Sequence, residues 1–420
     1  MLTMIRPTLV WIHRWVGLLM ALFLLIEGLT GSILAFEAPI GRWLNPSLFM
    51  PASESDLPVM DLASLAVAAE RIDPRLQVAY FSVGPDQAMM RVLPRIDSVT
   101  GRPYEIDVTH LVLDPHTGRE IARLSPTYHG PDPCSGVVPF IKDLHYTLAL
   151  GSIGAWIFFV VALAWTLDCL LSVLLTLPRK LASFWSRWAP SWRIKRGAGF
   201  YRLNFDLHRA GGLWLWVLLF VFAWSSVNLE DQIGAYDWVT SRLFDYVSAD
   251  ELISGLPQHA DVPLKLDWFA AQRRGEELMQ DQARRQGFHV LGPAGLVHFT
   301  GEGLYNYSAH TDQPFPQPRE ETVYFDGDTG GRFEMPGISD DRLGNQVTDL
   351  LRAMHMIVDP FDFAAYRWFI CLFGLALAML SVTGVIIWWR KHRARAVARN
   401  APAAVGVVAS TWAPGSRQSP

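Results

Sequence analysis

The sequence predicts an α-helical membrane protein: four transmembrane helices in a tandem, pseudo-two-fold repeat, with two α+β domains outside the bilayer. Three observations predict it. Four windows, Leu9–Phe36, Ile153–Leu177, Leu213–Leu229 and Ala365–Trp389, reach the ~20 apolar residues that cross a bilayer. The 420-residue chain is half hydrophobic, 18% charged and carries a net charge of −4, a membrane-type balance with no nucleic-acid partner expected. Finally, the entrance of the first window, Trp11-Ile-His-Arg-Trp-Val-Gly-Leu18, returns before the third as Asp206-Leu-His-Arg-Ala-Gly-Gly-Leu213.

The first helix occupies residues 1–38. It is too long for a signal-peptide core, and Glu37-Ala-Pro is no Ala-x-Ala cleavage site, so it is expected to be retained. Pro39 and Asn45-Pro46 then open an outer domain over 39–140. Within it Leu62–Ile72 reads as a helix, and Leu76–Val83, Ala88–Leu93 and Asp107–Leu113 as strands. The last strand enters a tight turn, Asp114-Pro-His-Thr-Gly118. The second span with its lead-in covers 141–178, and a basic linker covers 179–207. The third span covers 208–229. A second outer domain, 230–346, repeats the plan: a helix at Leu266–Gln286, strands at Gly295–Thr300, Gly303–Ala309 and Glu321–Phe325, then the turn Asp326-Gly-Asp-Thr-Gly330. A surface helix and the fourth span cover 347–390, and 391–420 reads as a disordered tail.

Orientation follows from the flanks. The segment between the second and third spans holds Arg179, Lys180, Arg187, Arg193, Lys195, Arg196, Arg202 and Arg209 against one acid, Asp206, and the flank after the fourth holds Arg390, Lys391, Arg393, Arg395 and Arg399. The positive-inside rule puts both, with both termini, in the cytoplasm and the two large loops outside. Trp11, Trp15, Trp185, Trp188, Trp192, Trp388 and Trp389 near span ends suit an interfacial belt. Cys169 and Cys371 lie in spans and leave Cys134 alone outside. No disulfide framework or Cys-x-x-Cys-His haem attachment is implied.

Each span is led by a histidine: His13, His145 in Asp143-Leu-His-Tyr, His208, and His355 in Arg352-Ala-Met-His. The order His13, Asp114, His145 matches His208, Asp326, His355, the mark of a duplication about an axis along the membrane normal. The arrangement suggests a cofactor held between helices. The His-Arg-x-x-Gly-Leu entrances, the Asp-Pro-x-Thr-Gly hairpin and Ser381-Val-Thr-Gly-Val-Ile-Ile-Trp-Trp389 resemble the PepSY-associated transmembrane family over all but the last twenty or so residues. That resemblance implies PepSY-like periplasmic domains in a multi-pass protein of the bacterial inner membrane. It also implies b-type haem and an acceptor in the form of ferric iron held by a siderophore or similar chelate. One departure is Asp168-Cys-Leu-Leu-Ser-Val-Leu, where a Thr-Gly pair like that of the fourth span is expected.

A histidine in a membrane helix needs a partner. Across the pseudo-two-fold, His13 faces His208 on the cytoplasmic side and His145 faces His355 on the outer side. Such pairs can fill both axial positions of a haem iron, giving two b-type haems. Zinc wants three or four protein ligands; copper remains the competing use. Arg14 and Arg209 inside, with Lys142 and Arg352 one turn outward of the outer histidines, could pair with haem propionates or simply snorkel. Glu27 lies fourteen residues after His13, ~21 Å along a helix, near the outer level. It and Asp168 are candidates for a proton role or for simple pairing. Gly28-Leu-Thr-Gly31 and Thr383-Gly384 read as close helix packing. His110, His116, His129, His259, His289, His298 and His310 read as surface residues. No phosphate-binding glycine loop occurs, so the electron donor would be a separate flavoprotein, reduced flavin or quinol. The expectation is an inner-membrane di-haem ferric-chelate reductase. Its alternatives are a membrane-anchored binding or regulatory protein without redox activity, and a metal transporter.

Overall fold

The computed structural model describes residues 2–49, 57–84, 86–125, 135–180, 182–248, 251, 254–257, 264–299, 301–314, 320–333, 342–358 and 360–400. Cys134, His129, His259, Thr300 and the tail beyond residue 400 lie outside them. The first half runs α1 (Leu2–Leu34), α2 (Glu37–Leu44), α3 (Leu62–Ile72), β1 (Leu76–Val83), β2 (Ala88–Pro94), β3 (His110–Leu113), β4 (Glu120–Leu124), α4 (Val137–Thr147) and α5 (Ser152–Thr176). A short α6 (Phe184–Trp188) leads to α7 (Phe200–Trp214), α8 (Trp216–Leu229), α9 (Ala235–Leu243) and α10 (Trp268–Gln286). Then come β5 (Val290–Phe299), β6 (Leu304–Thr311), β7 (Glu320–Asp326), β8 (Arg332–Phe333), α11 (Leu343–Met356) and α12 (Ala364–Asn400).

Among the described residues three helices are long and apolar enough to cross a membrane: Ile5–Leu34, Ser152–Thr176 and Ala364–Ala396. Leu19, Val160, Leu167 and Leu372 stand exposed on their outer faces, a surface suited to lipid rather than water. The third predicted span, Leu213–Leu229, falls on a broken helix: α7 and α8 meet at a bend of 68° and only together are long and apolar enough to cross. Two indoles flanking the break are drawn apart. Trp214 donates to the Trp192 carbonyl on the linker (3.0 Å), while Trp216 donates to the Cys169 carbonyl of α5 (2.8 Å). At 14 residues, α8 alone rises only ~21 Å.

α1 and α12 pack along much of their length. A Cβ on Gly28 would sit 2.5 Å from the Gly374 carbonyl oxygen, so only glycine admits this approach. Ser32 donates across it to the Cys371 carbonyl (2.9 Å).

Outside the bundle stand two four-stranded antiparallel sheets, ordered β1-β2-β3-β4 and β5-β6-β7-β8. Their third hairpins turn alike. The Asp114 carboxylate accepts from the His116 N–H (2.9 Å) and the Thr117 hydroxyl, and Gly118 has φ 68°. Asp326 accepts from the Asp328 and Thr329 N–H groups (3.0 and 2.7 Å), and Gly330 has φ 69°. An aspartate holding the turn and a glycine at positive φ are what that geometry requires. Aspartate also caps both domain helices, Asp61 on α3 and Asp267 on α10. The two sheets share one core, in which Leu65, Leu76, Met90, Leu111, Met279, Leu296 and Phe325 are buried together. Trp268 of α10 reaches Glu70 of α3 (3.2 Å), and β1 runs beside β5. The fourth strands, β4 and β8, were not foreseen; they are short, and β8 spans only two residues.

Candidate cofactor site: two histidine pairs

The helix entrances carry the histidines into two cavities at different depths of the bundle. His13 on α1 and His208 on α7 share a sheet-distal cavity of about 600 Å³, together with Arg14, Asp168, Arg209 and Gly384. Their ring centroids are 6.3 Å apart, with the planes inclined by 48°. His145, near the end of α4, and His355, near the end of α11, share a sheet-proximal cavity of about 100 Å³. Both short helices stop in the left-handed region immediately afterwards, at Leu148 (φ 54°) and Ile357 (φ 55°), which turns the chain towards its span. On α1 the two levels are marked by His13 and by Gly31, ~27 Å apart at helical rise. Trp165 and Leu377 line both cavities and form their common wall.

Each imidazole is held by its Nδ1. His13 Nδ1 lies 2.9 and 3.0 Å from the two Asp168 oxygens. His208 Nδ1 faces the Leu380 carbonyl (3.0 Å) and the Thr383 hydroxyl (3.2 Å). His145 Nδ1 meets the Thr30 hydroxyl and His355 Nδ1 the Ser225 hydroxyl, both at 2.8 Å. Those hydroxyl protons are already committed: Thr30 donates to the Ile26 carbonyl (2.7 Å), Ser225 to Phe222 (3.0 Å) and Thr383 to Leu380 (3.0 Å). Each hydroxyl therefore offers a lone pair, and each partner is an acceptor. The carboxylate at His13 and the carbonyl at His208 call for the Nδ1–H tautomer, and the hydroxyls at His145 and His355 can accept the same proton, an arrangement that directs Nε2 lone pairs to a metal.

The glycines beside the rings are not simply packing residues, as the sequence suggested. A Cβ on Gly384 would lie 3.0 Å from the His208 ring, and one on Gly31 would lie 3.2 Å from the His145 ring. Gly28 alone of that group serves the helix–helix contact. Glu27 Oε2 stands 3.2 Å from His145 Nδ1, although the hydrogen bond itself goes to Thr30, and Glu27 Oε1 is buried without a partner.

A family model, the PepSY-associated TM region, matches residues 10–391. The chain belongs to the PepSY-associated transmembrane family. No curated protein matches it. The family segment contains all four histidines and every partner named above.

The residues of this PepSY-associated protein fit a hexacoordinate metal in a macrocycle at the distal level. Given metal–nitrogen bonds of ~2.0 Å, imidazoles on opposite faces of one ion have centroids roughly 6 Å apart, which matches the His13–His208 spacing. The distal volume also falls within the ~300–1,000 Å³ of ligand sites. At the proximal level the donors are arranged the same way, but about 100 Å³ is too little for a macrocycle unless α4 or α11 swings outward. Among the described residues no group of three or more His, Cys, Asp or Glu side chains could hold a metal ion.

The basic residues divide. Arg14 and Arg209 line the distal cavity with Arg6, Lys391 and Arg395. Arg209 is steered by the fully buried Asp206 (2.9 Å), which also takes Arg202 (2.8 Å). The outer pair does not line the proximal cavity: Lys142 binds Glu37 (3.0 Å), and Arg352 is exposed. Being one turn before the histidines, both clear the cavity rim. Of the loop histidines, His289 and His310 are exposed, but His110 is buried in β3 and His298 stacks on Tyr305 (4.8 Å).

Proposed function

We propose that the protein carries electrons across the bacterial inner membrane, from a reduced flavin, flavoprotein or quinol on the cytoplasmic side to a periplasmic ferric chelate such as a siderophore complex. The observation that carries this reading is the shared anchoring: four imidazoles in pairs at two depths, each with its Nδ1 against an oxygen able to accept. In this reading His13 and His208 would hold a b-type haem at the cytoplasmic level, and His145 and His355 are the residues that would hold a second. Haem supplies reversible one-electron transfer, and two histidines per iron leave no position for oxygen activation.

The chain's own residues do the rest. Asp168, Leu380, Thr30 and Ser225 orient the ligands. Arg14 and Arg209 offer cations to propionates. Trp165 and Leu377 form the apolar wall between the levels. Basic residues of the linker and tail set the orientation with both termini inside. The finer architecture belongs to the same proposal: a four-span tandem repeat whose third span is the bent α7–α8 pair, bearing PepSY-like periplasmic domains. The matching turns and matching left-handed helix ends support it. A metal carrier has less support, because the paired donors stop at two.

Membrane vesicles of defined orientation test the function. With a reductant enclosed on the cytoplasmic face and ferric chelate on the other, each ferric ion should gain one electron. His13→Ala should abolish that reduction. Reduction only when donor and chelate share a face would overturn the proposal.

A further inference from the structure

The four ring anchors differ in charge. His208, His145 and His355 give their Nδ1–H to neutral oxygens: a carbonyl and two hydroxyls. His13 alone has a carboxylate as its hydrogen-bond partner, with both Asp168 oxygens within 3.0 Å. Asp168 lies in the C-terminal half of α5, between Leu167 and Cys169, and its side chain is only 12% exposed. A carboxylate there is costly and stands at a place where packing alone would take an apolar residue. Glu27 is the nearest analogue at the other level, but Thr30 takes the hydrogen bond that would make it equivalent.

Resting on the haem reading above, we infer that Asp168 is a positioning residue that tunes redox potential: through His13 it lowers the potential of the cytoplasmic-level site. A carboxylate on Nδ1–H draws that proton away from the ring and makes Nε2 a stronger electron donor. Stronger axial donation favours the ferric state over the ferrous and lowers the potential. Arg14, Arg209 and Lys391 face the same cavity and oppose the carboxylate's charge, but they are unchanged when Asp168 alone is replaced.

The test is a potentiometric titration of the purified full-length holoprotein. The cytoplasmic-level wave is assigned by its loss in His13→Ala. Asp168→Asn should raise that wave by at least a tenfold change in reduced-to-oxidised ratio at fixed potential, ~59 mV for one electron. The outer wave should stay where it was. The low-spin ferric resonance of the cytoplasmic-level site should shift with the wave, and Asp168→Glu should restore both. Should Asp168→Asn bind haem poorly, Asp168→Ser, which offers the neutral hydroxyl found at the outer histidines, is read instead. A loaded variant with an unmoved wave overturns the inference, as does movement of the outer wave. Loss of haem from both neutral variants, with Asp168→Glu loaded, also overturns it, since Asp168 would then serve assembly. A wild-type protein without haem would instead sink the functional reading beneath it.

Discussion

His13, His145, His208 and His355 stood out in the sequence because each leads an apolar window, and their pairing followed from the repeated order. Their partners were harder to find. Thr30, Ser225 and Thr383 look like any small polar residue at a helix contact. What marks them is position: their hydroxyl protons are spent on carbonyls of their own helices, which turns them into acceptors. Asp168 was visible as a charge among apolar neighbours, but only the three-dimensional approach of α5 to α1 assigns it to His13. The two pairs meet in separate cavities, so the proposal predicts independence. His145→Ala or His355→Ala should remove about one of two haem equivalents, or turn it high-spin, while the cytoplasmic-level bands persist. Haem extraction and difference spectra check this. Loss of both haems from a folded single variant would mean that ligands are shared between levels.

At the level of helices and sheets, periodicity gave most elements to within a few residues. It could not give the α7–α8 bend, whose cause is the opposed anchoring of Trp214 and Trp216 to distant segments. Nor could it give the merging of two outer domains into one core, which needs the α3–α10 contact. The α1–α12 seam rests on Gly28 and Gly374. Gly28→Ala forces a Cβ against backbone, so overpacking should cost ~1–3 kcal/mol and lower the fraction surviving heat in detergent, read by size-exclusion chromatography. The first sheet carries a pH dependence. Burial, with Arg91 adjacent, pushes the His110 pKa from 6.5 to about 4. The unfolded chain therefore takes up a proton that the fold refuses. This contribution is complete above about 6.5 and is lost as pH falls towards about 4. Asp73, held at about 2 chiefly by its hydrogen bond from Arg75, acts only below that window. His110→Asn should flatten the loss of melting temperature between pH 7 and 5, as followed by thermal unfolding of the full chain.

Across the whole molecule, two anchored histidine pairs stand one above the other between a basic face and a shared two-sheet body. Family membership settles the kind of membrane protein; the proposed redox role depends on haem at those pairs. The electrostatic asymmetry of the faces and the stacking of the cavities both suit the proposed outward electron flow. The most direct measurement is therefore a reduced-minus-oxidised spectrum of the purified full chain from haem-replete cells, with total haem counted after extraction in acidified solvent. The account predicts low-spin b-type bands, fully extractable haem because no covalent attachment motif exists, and two haems per chain. Folded, membrane-extracted protein lacking these bands would contradict it.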